Sequence, residues 1–243
     1  NEGAHLKSAL AGVPHFVDLI AVVDDGSTDD TGCLLDGVSD TRIIRLCHNK
    51  NRGVGAATKT GYRFCLESGV DLIAVMDGDG QMDGRDLHLL LDRLMSGADY
   101  VRGNRFLHKQ TLPAMPRDRY FGNLLFSALT RLAAGFRGTL DAQCGYSAIR
   151  GQALATLDLD HLYDRYGFPN ELFFAARRAG LVIRDVPVRT IYGDEVSHIN
   201  PIVVVPTVLL LILRNHLRLR RTKALKQHTA PGLAVPALPQ ASH

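Results

Sequence analysis

The chain has no tryptophan, and Phe and Tyr together make up only 7% of its 243 residues. Its four cysteines, Cys33, Cys47, Cys65 and Cys144, stand far apart and form no CxxC pair. That spacing excludes a disulfide framework and a structural zinc site, and it suits a reducing compartment. The main apolar run, Ile202–Leu213, has twelve residues and holds Pro206, well short of the roughly 20 apolar residues that a spanning helix needs. There is no HExxH helix, no GxSxG elbow and no secretory signal pattern at the start. What is present is ordinary globular composition, 46% apolar and 22% charged, in a chain long enough to bury a core without staples.

Charge is unevenly placed. The net charge is +3, yet six basic residues and no acid lie between Arg214 and Lys226, so the rest of the chain is net negative. A basic tail on an acidic body argues against nucleic acid as a partner of the whole domain.

Short apolar runs alternate with helical patterns, the signature of an α/β fold with a Rossmann-like, mostly parallel sheet flanked by helices. Strands are expected at 16–23, 42–46, 72–76, 99–103 and 181–188, and helices at 55–68, 85–95, 120–134 and 170–179. Gly69 and Gly180 follow two of these helices as C-terminal caps. Residues 106–119, with Pro113 and Pro116, read as a long loop. The expected division is a domain over 1–199, an apolar plus basic segment over 200–226 and a disordered tail over 227–243.

Several strands end in acidic or amide residues, where open α/β sheets bind ligands. Asp77-Gly78-Asp79-Gly80-Gln81 follows the run LIAVM. Two carboxylates there suit Mg²⁺ or Mn²⁺ shared with substrate phosphates. An EF-hand is excluded because Met82 takes the glycine position and His88 the glutamate position. Val23-Asp24-Asp25-Gly26-Ser27-Thr28 reads as a second strand end, with carboxylates able to accept from a base edge or ribose; a helix cap fits it equally. Asn51-Arg52-Gly53-Val54-Gly55 fails both the Walker A and dinucleotide patterns, since Thr58 occupies the last glycine of each. It reads as a helix start packed beneath a ligand. Arg105, Arg119 with Asn123, and Arg189 with His198 are basic or polar groups able to neutralise phosphate around such a cleft.

In order, DDGSTDDT, NRGVG, DGDGQ, GNR and DAQCGYSAIR resemble the motifs of the family 2 inverting glycosyltransferases of the GT-A fold. Within that family they are most similar to the dolichyl- and polyprenyl-phosphate branch, and the likeness runs from Asn1 to about Ile199. It implies metal-dependent transfer from a nucleotide-sugar of the GDP-mannose or UDP-glucose type to a lipid phosphate. It places Glu2, Val23, Asp24, Asp25, Gly53, Asp77 and Gln81 at the nucleotide, Asp77 and Asp79 on Mg²⁺ or Mn²⁺, and Asp79, Arg105 and Glu171 at the reaction centre. Arg119, Asn123, Arg189 and His198 would receive the acceptor phosphate, with Asn123 in place of the usual Ser and His198 in place of Lys. The lack of tryptophan removes the QxxRW motif of processive synthases. The likeness also implies a strand upstream of Asn1-Glu2, so the expectation is a fragment of a longer protein. The 200–226 segment would lie on the cytoplasmic face of a membrane as a peripheral anchor. A glycan hydroxyl acceptor, or an inactive nucleotide-sugar-binding fragment, are the alternatives.

Overall fold

The computed structural model describes residues 2–109, 115–138, 141–191 and 201–228. In chain order its elements are α1 (Gly3–Ala11), β1 (Ile20–Asp24), α2 (Thr31–Asp36), β2 (Ile43–Cys47), α3 (Val54–Glu67), β3 (Leu72–Val75), α4 (Leu87–Met95) and β4 (Tyr100–Asn104). There follow α5 (Arg117–Ala134), β5 (Ser147–Arg150), α6 (Gly151–Leu154), α7 (Phe168–Ala179), β6 (Ile183–Pro187) and α8 (Pro201–His228). Short 3₁₀ turns precede α4 and follow β4.

The strands form two sheets. β1 and β2 pair in parallel, with Ile20 opposite Ile43. The larger sheet has the order β3-β5-β4-β6, in which β5 runs antiparallel to both neighbours and β4 and β6 are parallel. The α/β class expected from the sequence holds, and β5 makes the larger sheet mixed. α3 packs on both β1 and β3 and so ties the two sheets together. The acidic ends of β1 and β3 therefore sit over a shared support.

Two apolar clusters fill the interior. α7 is central to one, where Phe168, Leu172, Phe173 and Phe174 meet Tyr62, Ile149, Ile183 and Leu219. The other forms where Leu87, Leu90 and Leu94, spaced to share one face of α4, lie against Val101, Ala148 and Val186. Gly180 ends α7 in the left-handed region, as a C-terminal cap requires.

The apolar run and basic cluster near the C-terminus belong to one helix, α8, and Pro206 is accommodated near its start. Val208, Leu211, Ile212, Asn215 and Leu219 form its buried stripe. Among the described residues no helix is long and apolar enough to cross a membrane. The loop expected to run to Arg119 is shorter, because α5 begins at Arg117. Most of the expected tail, 229–243, lies outside the described residues.

Candidate active site

The loop after β3 is shaped by its own carboxylate. Asp79 Oδ1 accepts from Gln81 N at 2.9 Å, closing a tight turn. The Gln81 carbonyl accepts from Ile191 N at 2.9 Å, and Met82 bridges to Thr190, so the chain leaving β6 runs beside this turn. Glu2 approaches from the other side. Its backbone nitrogen donates to Thr31 Oγ1 at 3.1 Å, while a Cβ built on Gly78 would lie 3.9 Å from Glu2 Cβ. Gly3 N donates to Asp29 Oδ2 at 3.4 Å. The start of α1 thus joins the acidic loop after β1 to the acidic loop after β3.

Burial raises the Asp77 carboxyl to about 6, and the neighbouring charges of Asp79 and Glu2 push in the same direction against the pull of Arg105. A carboxylate crowded by two others is stabilised by an added cation. Gly145 completes the wall: a Cβ there would stand 3.0 Å from Asp77 Oδ2, so any larger residue would crowd the carboxylate. Among the described residues no three His, Cys, Asp or Glu side chains are grouped to hold a metal ion. A pair of hard oxygen donors fits Mg²⁺ or Mn²⁺ when substrate phosphates and water supply the remaining ligands.

Arg105 is aimed by Asp141. Its Nε and Nη2 donate to the two Asp141 oxygens at 2.6 and 2.9 Å, and its backbone nitrogen donates at 3.2 Å. Asp141 is fully buried and Arg105 mostly so, which makes this a rigid bidentate pair. Asp141 is held in turn through α5, since Ser127 Oγ accepts from Ala142 N at 3.0 Å. Arg119, Asn123 and Ser127 follow one another at four-residue spacing and so share a stripe of α5. Cys144 packs in the same region, where burial drives its thiol up to about 12 and so keeps it protonated and inert.

The end of β1 is committed within the protein. Asp24 Oδ1 accepts from Ser27 N at 2.9 Å. Burial would raise the Asp24 carboxyl, but its hydrogen bonds to Ser27 and the Arg45 charge outweigh that and hold it below the ordinary range. Asp25 is more fully engaged. Its oxygens accept from Arg52 N at 2.9 Å and Gly53 N at 2.7 Å and meet His48 Nδ1 at 2.6 Å. His48 Nε2 lies 2.9 Å from Thr60 Oγ1. Asp25 therefore anchors the 51–53 loop, and Val23 packs toward Gly61 of α3. The contacts of His48 with Asp25 and Thr60 were not legible in the sequence, because they join separate segments.

The start of α3 packs against the segment 163–165. Ala56 N donates to the Asp164 carbonyl at 3.0 Å. Gly53, at φ 105°, has that same carbonyl 2.5 Å from where a Cβ would stand, so only glycine fits there. A cleft of about 630 Å³ beside this contact is lined by Arg52, Tyr163, Arg165 and Arg214 among others, and it takes in neither Asp77 nor Asp79.

Two expected site residues are paired within the protein, and one lies outside the described residues. Glu171 is fully buried in the first turn of α7, hydrogen-bonded by Asn215 Nδ2 and paired with Arg214 Nη2 at 2.9 Å. It joins α7 to α8 and is not brought to the acidic loops. Arg189 donates from Nε to Asp86 Oδ1 at 2.9 Å and lies 3.4 Å from Asp83, so its charge is already matched. His198 falls in 192–200, outside the described residues.

An α/β scaffold with paired carboxylates at a strand end and an arginine locked beside them is the arrangement of a GT-A glycosyltransferase. Solved structures agree on the fold. Glucosyl-3-phosphoglycerate synthase from Mycobacterium tuberculosis, in complex with UDP, superposes with a TM-score of 0.63 at 19% identity, covering 89% of this chain and 76% of that one. The same synthase in complex with Mn²⁺, UDP-glucose and phosphoglyceric acid gives 0.61 at 20% identity, covering 90% and 76%. The Glycosyl transferase family 2 model matches residues 3–154, and the chain belongs to that family. Among similar proteins, a UDP-N-acetylglucosamine–dolichyl-phosphate N-acetylglucosaminyltransferase from Methanococcus voltae is 30% identical over 80% of this chain and 83% of its own length. A polyprenol monophosphomannose synthase from Mycolicibacterium smegmatis is 32% identical over 77% and 73%. An undecaprenyl-phosphate mannosyltransferase from Micrococcus luteus is 33% identical over 70% of each.

Proposed function

We propose that this glycosyltransferase moves a sugar from a nucleotide-sugar, of the GDP-mannose or UDP-glucose type, to a polyprenyl or dolichyl phosphate, with inversion at the sugar carbon. The carrying observation is the convergence of Glu2, Asp77, Asp79 and the Asp141-locked Arg105 at one strand end. The names of relatives that cover most of the chain support the lipid phosphate acceptor. Residues 1–199 form the catalytic unit in this reading, and 200–226 is its peripheral contact with the cytoplasmic face of a membrane.

Asp77 and Asp79 would hold Mg²⁺ or Mn²⁺, which when bound supplies Lewis-acid stabilisation of the departing diphosphate. Glu2 and the loop anchored by Asp24 and Asp25, with Val23, Gly53 and Gln81 around it, form the nucleotide side. Arg105 faces the reacting phosphates, and its orientation is settled beforehand by Asp141. Arg119 and Asn123 receive the acceptor phosphate. Arg189, neutralised by Asp83 and Asp86, holds the chain that leads to His198 beside the Gln81 turn.

A phosphate monoester has a second pKa near 6 and is an anion at neutral pH, so it needs positioning and charge neutralisation rather than a general base. The placement of Glu171 favours this acceptor over a hydroxyl, because the carboxylate that would serve as base is buried against Arg214 and Asn215. Asp79→Ala should lower transfer to a polyprenyl phosphate by about a hundredfold or more with its thermal midpoint unchanged. A rate within a few-fold of wild type would overturn the metal-assisted reading. Thermal shifts with GDP and with UDP, each with Mn²⁺, would identify the donor.

A further inference from the structure

Among the described residues the largest fully buried side chain is a charged one, that of Arg102 in the middle of β4. It shares a strand face with Tyr100 and Asn104, and its guanidinium carbon lies 5.1 Å from the centre of the Phe173 ring. Nη2 donates to the Asp141 carbonyl at 2.6 Å. Nε and Nη1 have no hydrogen-bond partner among the described residues. Asp185, opposite Arg102 in the β4–β6 register, supplies an opposing charge, but its Oδ2 accepts from Asn104 Nδ2 and its Oδ1 is unpartnered.

An apolar side chain at this position would fill the same space without desolvating a charge, and such replacements of buried charges are often neutral or stabilising. Stability alone therefore does not account for an arginine here. Its single hydrogen bond does. Asp141 is the residue that orients Arg105, its carboxylate accepting from Arg105 N, Nε and Nη2. Arg102 stands three residues before Arg105, so β4 and the turn after it grip Asp141 twice, once at the carbonyl and once at the carboxylate. Ser127 Oγ holds the next residue by accepting from Ala142 N. A carboxylate can present a guanidinium in one orientation only when its own main chain is held.

We propose that Arg102 is a positioning residue for the transfer reaction, fixing the Asp141 main chain to β4 so that the Asp141 carboxylate presents Arg105 in one orientation. The inference rests on the reading of Arg105 as a group at the reaction centre, and it adds to that centre a residue that touches no substrate.

The test is a double-mutant cycle on the full chain, read as transfer from GDP-mannose or UDP-glucose to a polyprenyl phosphate. Arg102→Met keeps a long side chain over Phe173 and removes the donor. It should lower kcat about tenfold to a hundredfold, with KM for the nucleotide-sugar and the thermal midpoint close to wild type. Arg102→Lys should recover most of the lost kcat, since Asp141 takes one hydrogen bond and not a bidentate pair. In an Arg105→Ala background, Arg102→Met should add less than about a twofold further loss, because its effect passes through Arg105. Losses that multiply independently, or a wild-type kcat for Arg102→Met, would overturn the proposal.

A second measurement needs no activity. The Arg105 Nε–H, bonded to Asp141, should exchange with solvent about tenfold faster or more in Arg102→Met than in wild type, and equal exchange rates would sink the proposal. Arg105→Ala with an undiminished rate would remove Arg105 from the reaction centre, and exchange would then decide by itself whether Arg102 fixes it. Should Arg102→Met fail to fold, Arg102→Gln, which is neutral and shorter but keeps polar atoms in the core, takes its place with the same expectations. Failure of both to fold would assign Arg102 to stability and overturn the positioning role.

Discussion

α7 and α5 are neighbouring helices of one domain with opposite relations to water. α7 buries Phe168, Leu172, Phe173 and Phe174, and even its polar Asn170 and Glu171 are enclosed. α5 keeps small and polar groups inside and leaves Phe121 and Leu125 in solvent. Both sequences are apolar enough to serve as core. The difference teaches that hydrophobic content does not assign a face. α7 lies between the large sheet, α3 and α8, so every side finds a partner, whereas α5 has protein on one side only.

Truncation should expose this contrast most sharply. Phe173→Ala removes a fully buried ring that packs edge-on against Phe136 and Phe174 and should cost about 3–5 kcal/mol in chemical denaturation. A cost below about 1 kcal/mol would break the comparison. Glu171→Ala should cost about 2–3 kcal/mol, less than a wholly buried pair because Arg214 is partly exposed. Glu171→Gln should preserve transfer to a lipid phosphate, and loss of activity without loss of stability would show that Glu171 acts at the reaction centre after all.

pH probes the same interior. Asp185 lies on β6, whose Ile183 packs in the cluster around Phe173. Burial raises its carboxyl to about 6, against the opposing pull of Arg102 and the Asn104 hydrogen bond. A carboxyl that binds its proton more tightly when folded adds stability at low pH and loses it as pH climbs from about 4 to about 6. Asp185→Asn should therefore match wild type near pH 4 and exceed it by about 1–3 kcal/mol at pH 7. A gap that does not change with pH would contradict this. Smallest of all, Leu125→Ser on the outward side of α5 should change stability by no more than about 0.5 kcal/mol.

Much of the scaffold was readable beforehand. β1, β2, β3, β4 and β6 are apolar runs closed by polar residues, and each lies within a residue or two of its expected place, apart from the first strand's later start. β5 was missed because Ser147–Arg150 has four residues and no apolar run of its own; it is a strand because β3 and β4 flank it with open hydrogen-bonding edges. α8 was read as a twelve-residue patch because Pro206 breaks the periodicity, yet the helix runs through that proline, giving up the hydrogen bond its nitrogen would have made one turn back. At the site, Asp77, Asp79 and Arg105 stood in motifs. The Asp25–His48–Thr60 chain and the pairing of Arg189 with Asp83 and Asp86 did not, since those contacts join separate segments.

By itself the order of residues determined the α/β class, the acidic strand ends and the positions where carboxylates and arginines would gather, because strand periodicity and turn chemistry are local. Only the tertiary structure decided which partner each of those charges is given. Arg105 and Arg189 are both arginines in polar surroundings, and both are held by aspartates. One is locked on Asp141 and the other on Asp83 and Asp86, since an ion pair depends on which segments the fold brings within reach.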